Sequence, residues 1–161
     1  MRVAYTPGSG NARQASVARQ LGRTMGIGAA ASEQMSPEVA EWWGAEGMYR
    51  VTQWHAELRV GGKWVSKGKS ADGSDFTVHG TILEFDPPRK VVKTWNYDWE
   101  EGSEETTVTY QLEPIEGGTR LRLRHTGFGD RKKACEGHAT GWERVLGWLV
   151  DYVPSAEGRF A

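Results

Sequence analysis

Across residues 49–126 the chain alternates apolar and polar side chains in short runs, each stopped by a turn signal, which is the period-two signature of β-strands. The runs fall at 49–59, 63–67, 76–85, 90–99, 106–114 and 119–126. Between them lie Gly61-Gly62, Ala71-Asp72-Gly73-Ser74, Asp86-Pro87-Pro88-Arg89, the acidic tip Glu100-Glu101-Gly102-Ser103-Glu104-Glu105, and Gly117-Gly118. Asp72-Gly73 is a hairpin signal, and links this short imply sequential antiparallel pairing. In the last two runs Val108, Tyr110 and Leu112 alternate with Thr107, Thr109 and Gln111, while Leu121, Leu123 and His125 alternate with Arg120, Arg122 and Arg124. The pattern predicts a sheet with one dry and one wet face. The arginine stripe reads as the solvated face, with anion binding as the alternative; acidic loop residues and a net charge near zero favour the former.

The period changes to 3.6 in two places. Ser36-Pro37-Glu38 combines a hydroxyl N-cap, proline at the first helical position and an acid in the first turn. The short helix it opens carries Val39, Trp42 and Trp43 and stops at Gly44. At 130–152 a longer pattern places Cys135, His138, Trp142, Val145, Leu146, Leu149 and Val153 on one stripe, with Glu136, Thr140, Glu143 and Arg144 opposite. Gly137, Gly141 and Gly147 interrupt it, each costing about 1 kcal/mol of helix propensity. Glycines there imply close approach of the sheet or room for a ligand. Cys135 could be activated by the helix N-terminus, but the stripe predicts a buried, inert thiol.

Composition narrows the function classes. The chain has 161 residues and a formal charge of −1, so no global field argues for nucleic acid or an anionic membrane. No apolar run approaches the roughly 20 residues of a membrane-spanning helix. A single cysteine excludes an intrachain disulfide and the cysteine spacings of structural zinc, and fits a reducing cytoplasm. His55, His79, His125 and His138 sit on different elements, and Asp72 and Asp75 lack the remaining ligands of a calcium loop. With no nucleophile elbow and no HExxH, no catalytic residue, metal or cofactor is assigned. Eight tryptophans and 21 glycines stand out. Residues 1–34 differ from the rest: Arg2, Arg13, Arg19 and Arg23 precede the first acid, Glu33. Such text resembles a transit leader or a weakly ordered tail, with one short helix at 16–21 and a turn at 6–11 that lacks the ending of a phosphate loop.

The residues now in hand carry a family resemblance. Ser36-Pro37-Glu38-Val39-Ala40-Glu41-Trp42-Trp43-Gly44 resembles the Pro-Glu…Trp-Trp segment of the START-like (SRPBCC) proteins, in the branch related to the activator of the ninety-kilodalton heat-shock protein ATPase. Leu58-Arg59-Val60-Gly61-Gly62-Lys63-Trp64, Gly80-Thr81-Ile82-Leu83-Glu84-Phe85-Asp86-Pro87-Pro88-Arg89, Val91-Val92-Lys93-Thr94-Trp95, Gly117-Gly118-Thr119-Arg120-Leu121 with His125-Thr126-Gly127-Phe128, and Gly141-Trp142 follow in that branch's order. The family's opening strand and helix have no clear counterpart before the Pro-Glu segment. Either text around 17–25 supplies the first strand, or it is missing and a sheet edge is exposed.

The resemblance implies an α+β helix-grip: a curved antiparallel sheet wrapped around a long C-terminal helix, with short helices after the first strand. The expected organisation is a divergent segment over 1–34, one START-like domain over 35–155, and a tail over 156–161. The fold implies a space between sheet and helix for a hydrophobic or aromatic small molecule, lined by Trp54, Trp64, Trp95, Tyr97, Tyr110, His125, Trp142, Leu146 and Leu149. A filled core is the competing reading of the same residues. His125 is expected to be a structural histidine bonded to a backbone carbonyl. Two other functions stay open: a stress-response co-chaperone of a heat-shock ATPase using the arginine face and the acidic tip, and a cyclase- or hydrolase-like enzyme.

Overall fold

Eight strands form one antiparallel sheet in the order β1-β8-β7-β6-β5-β4-β3-β2. The structure, a computed structural model, describes residues 2–5, 34–35, 37–115 and 118–157. The strands are β1 (Arg2–Tyr5), β2 (Gln34–Met35), β3 (Tyr49–Ala56), β4 (Lys63–Ser70), β5 (Asp75–Asp86), β6 (Lys90–Tyr97), β7 (Thr106–Ile115) and β8 (Gly118–Thr126). Helix α1 (Pro37–Trp42) precedes β3, and α2 (Lys132–Glu157) closes the chain. This is the α+β helix-grip: six long strands curled around the C-terminal helix, with a short strand added at each edge.

The alternation survives as register. Val108 faces His125, Tyr110 faces Leu123 and Leu112 faces Leu121 across the β7–β8 pair. Two bulges interrupt the period. At Thr52 the β3–β4 register slips by one residue, so the buried positions of β3 run Val51, then Trp54 and Ala56. At Leu83 the β5–β6 register slips likewise, which leaves Leu83 exposed beside buried Ile82. Gly80 has no side chain for a concrete reason: a Cβ there would run into the Thr94 carbonyl, and the Thr94 hydroxyl accepts the Thr81 amide at 2.9 Å. Asp72-Gly73 makes the tight turn between β4 and β5, with Gly73 at φ +83°.

The first strand is Arg2–Tyr5, paired antiparallel to β8 with Val3 opposite Leu121. Neither alternative holds: the first strand is present and covers the β8 edge, but it comes from text upstream of the 17–25 segment, and four residues are too short a run for periodicity to find. Residues 6–33, with the turn at 6–11 and the helix at 16–21, lie outside the described residues.

Helix α2 starts where Arg131 clamps the preceding loop: its guanidinium donates to the Phe128 and Gly127 carbonyls, each at 3.1 Å. Trp142, Val145, Leu146 and Leu149 are buried beneath it, and each such side chain contributes about 1.5–3 kcal/mol by leaving water. One expectation fails here, and one of two alternatives drops out. Cys135 is exposed, because it falls one residue round the helix from the stripe through Ala134 and His138. Close approach does not explain the helix glycines either: a Cβ on Gly137, Gly141 or Gly147 would meet nothing within 4 Å.

Candidate functional site

Gly137 and Gly141 form part of the roof of a pocket of ≈460 Å³ between α2 and the concave face of the sheet. Its floor is built from Trp54 on β3, Ser66 on β4, Val78 on β5 and Trp95 on β6. Strand alternation turns each of these side chains inward. The roof also includes His138, Trp142 and Val145, one face of successive turns of α2. Tyr49, Phe76 and Trp99 add aromatic surface, and Trp99 is 52% exposed, which puts it at the mouth. Polar groups are few: Ser66, Glu100, His138, Lys133 and Arg144.

Of the nine residues expected to line a cavity, Trp54, Trp95 and Trp142 do so. Trp64, Tyr110, Leu146 and Leu149 are buried in the packed core next to it. Tyr97 lies behind Trp99 and His138, with ring centroids 4.5 and 4.9 Å away. His125 sits beneath Trp142. The inner layer thus holds both a filled core and a pocket, divided by position along the strands. Periodicity had flagged Trp43 and His138 as inward-facing but could not place them in the lining. Trp99 shares the inward parity of Trp95 and Tyr97 in the run 90–99, but β6 ends at Tyr97, and the pattern could not place this ring at the mouth.

Five of the eight tryptophans close a ring. Trp43 neighbours Trp54 at 6.0 Å, Trp54 neighbours Trp64 at 5.2 Å, Trp64 neighbours Trp95 at 5.3 Å, Trp95 neighbours Trp142 at 5.2 Å, and Trp142 returns to Trp43 at 5.8 Å. Lys93 projects into this aromatic mass. Its Nζ lies 3.6 Å from the Trp64 ring centre, 4.3 Å from Trp54, 5.2 Å from Tyr110 and 5.6 Å from Trp95. The residue is only 2% exposed, and burial pushes its amine well below the usual lysine range. Ring faces attract a cation, but among the described residues no carboxylate is paired with this one, so desolvation prevails. A signal for Lys93 existed: it shares strand parity with Val91, Trp95 and Tyr97.

Two histidines meet beside the pocket, their ring centroids 4.9 Å apart. Trp142 Nε1–H donates to His125 Nδ1 at 3.0 Å. Since an indole nitrogen only donates, His125 Nδ1 is the bare acceptor and Nε2 carries the proton. Nε2–H then donates to the Thr106 hydroxyl at 2.7 Å, which donates to the Trp95 carbonyl at 3.1 Å. Side chains thus hold both nitrogens of His125, where a backbone carbonyl was expected. Burial, then the charges of His138 and Lys93, push it down to about 3. His138 is bonded through Nδ1 to the Ala134 carbonyl at 2.9 Å, so that nitrogen is the donor and Nε2 is left as an acceptor, buried and unpartnered among the described residues. Burial lowers its pKa too. Near the mouth, the Tyr97 hydroxyl donates to Glu100 at 2.8 Å.

Among the described residues no group of three or more His, Cys, Asp or Glu is placed to hold a metal ion, and no helix is long and apolar enough to cross a membrane. The surfaces considered for a protein partner are partly engaged within the chain. Glu113 takes Arg122 at 3.1 Å and Arg120 at 3.5 Å, and Glu105 accepts from Asn96 at 2.9 Å.

A curled antiparallel sheet gripping a long helix, with a pocket between the two, defines a START-like helix-grip protein. Known proteins agree with that class. Residues 35–154 match the model of the activator of Hsp90 ATPase homolog 1-like protein family, and the chain belongs to that family. Among solved structures, the chain is similar to a Rhodobacter sphaeroides protein at 23% identity and a TM-score of 0.72, covering 96% of this chain and 90% of that one. It is also similar to the AHSA1 protein of Silicibacter pomeroyi, at 25% identity and a TM-score of 0.65 over 96% of each chain. A Nitrosomonas europaea protein shares the fold at 18% identity and a TM-score of 0.69, covering 98% of this chain and 96% of that one. No curated protein matches the sequence.

Proposed function

We propose that the protein binds a hydrophobic or aromatic small molecule in the pocket between α2 and the sheet. The observation that carries this reading is the pocket itself. Its ≈460 Å³ lies within the roughly 300–1,000 Å³ typical of small-molecule sites, and aromatic walls with a few polar groups are the usual lining of such sites. The helix glycines support it, since side chains at Gly137 and Gly141 would project into this space. Family membership supports a ligand-binding fold in general. On this reading the protein works in a reducing, cytoplasmic setting, its one cysteine an exposed thiol.

The test is a screen of neutral polycyclic and alkyl-aromatic probes, followed by quenching of tryptophan fluorescence. A saturable probe that protects the wall tryptophans supports the reading. Native mass spectrometry and quenching that find no retained or saturable ligand over a broad panel refute it. A co-chaperone role for a heat-shock ATPase is the second reading, favoured by the family alone. Absence of binding in a pull-down with that ATPase removes it.

A further inference from the structure

The inner boundary of the pocket holds an unusual set of polar atoms. Trp54 Nε1, Trp95 Nε1, the Tyr110 hydroxyl and Lys93 Nζ are all buried without a hydrogen-bond partner among the described residues. Native interiors satisfy nearly all such groups, so four orphans within one cluster of side chains call for an explanation. They share two properties. Each is a hydrogen-bond donor, and the Trp54, Trp95 and Tyr110 rings all lie within 5.6 Å of the Lys93 amine. Trp54 and Trp95 are also pocket walls, so the amine lies one indole deep behind the pocket surface. Lys93 has four rotatable bonds with which to reach forward between the two indoles.

The two indoles and an ammonium only donate, and the Tyr110 hydroxyl can donate, so the cluster is complementary to an acceptor-only group. An ionised carboxylate offers about four lone-pair sites on two oxygens and supplies the counter-charge that a buried lysine lacks. No acidic side chain does so: among the described residues Lys93 has no ion pair, and the one carboxylate of the lining, Glu100, is engaged by Tyr97. We infer that the pocket takes an apolar or aromatic monocarboxylate, its acid group seated between Trp54 and Trp95 on the Lys93 amine. The inference rests on the pocket reading above and adds the chemistry of the ligand's head. Burial that disfavours the unpaired ammonium supports it, since the incoming anion is then the partner that lets the amine hold its proton.

The experiment compares 2-naphthylacetate with 2-naphthylacetamide, which differ only in the head group, by calorimetry on the full chain at neutral pH. The wild type is set beside Lys93→Met and the pocket-filling Gly141→Leu. Expected is a carboxylate preference of roughly tenfold or more in the wild type, lost in Lys93→Met, with both probes excluded by Gly141→Leu. Equal binding of the two probes, abolished by Gly141→Leu, overturns the inference and leaves the pocket reading standing. A preference that survives in Lys93→Met assigns the anion to Lys133 or Arg144 of the lining and also overturns it. If neither probe binds, the inference is overturned, and the broad probe panel decides the pocket reading. Lys93→Met removes a buried polar group, so misfolding is not its expected effect, and the wild-type comparison stands without the variant.

Discussion

The Trp142 indole donates its N–H to His125 Nδ1 at 3.0 Å, joining the roof helix to the last strand. This bond and the Thr106 hydroxyl on the other ring nitrogen hold the imidazole neutral, because a proton on Nδ1 would face the indole N–H. The same indole is a wall of the pocket and a member of the tryptophan ring. Sheet, helix and candidate site are therefore coupled at one side chain.

Acid should loosen this junction. The folded pKa of His125 is depressed to about 3, so between that value and the ordinary 6.5 the unfolded chain binds a proton that the folded one refuses. Stability then rises with pH across that window and is lost as pH falls from 6.5 towards 3. Lowered His138 acts with the same sign. Urea midpoints measured from pH 7 to pH 4 should fall for the wild type and fall less for His125→Phe.

Removing the donor while keeping an aromatic ring isolates the hydrogen bond. Trp142→Phe leaves His125 Nδ1 buried with no donor, and the expected loss is about 1–3 kcal/mol beyond the lost ring area. Chemical denaturation measures it. Equal stability of the double variant with His125→Phe and of the single variant would show that the two residues act as a pair.

Lys93→Met should stabilise the protein at neutral pH, by about 1–3 kcal/mol, since it exchanges an unpartnered buried amine for an apolar chain of similar length. The sign follows from the depressed amine: below the ordinary lysine value of 10.5 the unfolded state takes up a proton that the folded state disfavours. Wild-type stability consequently climbs as pH rises towards 10.5, and the advantage of the variant shrinks. Urea titrations at pH 7 and pH 10 check both statements.

The two kinds of helix glycine should part company on substitution. Gly147→Ala is on the exposed side, away from the pocket lining, and should raise stability by about 1 kcal/mol with ligand binding unchanged. Gly141→Leu should be tolerated by the fold but fill the pocket, so that any pocket ligand is lost. Thermal melts alongside probe titrations separate the two effects.

Trp99 is half exposed, stacked on Tyr97 at 4.5 Å and edge-on to Phe76 at 6.1 Å, above the pocket. Trp99→Ala should lower the unfolding free energy by about 1–2 kcal/mol through the lost stack, while raising the dissociation rate of a bound probe several-fold. Stopped-flow release of the probe reads that rate.

The dry-faced sheet and the amphipathic helix that covers it were legible in the sequence, because side-chain period reports which side of a layer a residue takes; short links gave the antiparallel order, and the grip came only through the family resemblance. The Val108, Tyr110 and Leu112 face and the stripe through Trp142, Val145, Leu146 and Leu149 all packed inward. The same rule would have exposed Lys93, on the parity of Val91 and Trp95, as a buried amine. Tertiary structure alone decided where the inner layer is filled and where it is open. That depends on the bulges at Thr52 and Leu83, on the close approach of Gly80 to Thr94, and on how far the tryptophan ring props α2 from the sheet. It also brought His125 to Trp142 and His138, and Arg2–Tyr5 to the far edge of the sheet. Periodicity carries direction along one element; the distance between two layers is set by packing among side chains remote in the chain, and no local pattern encodes it.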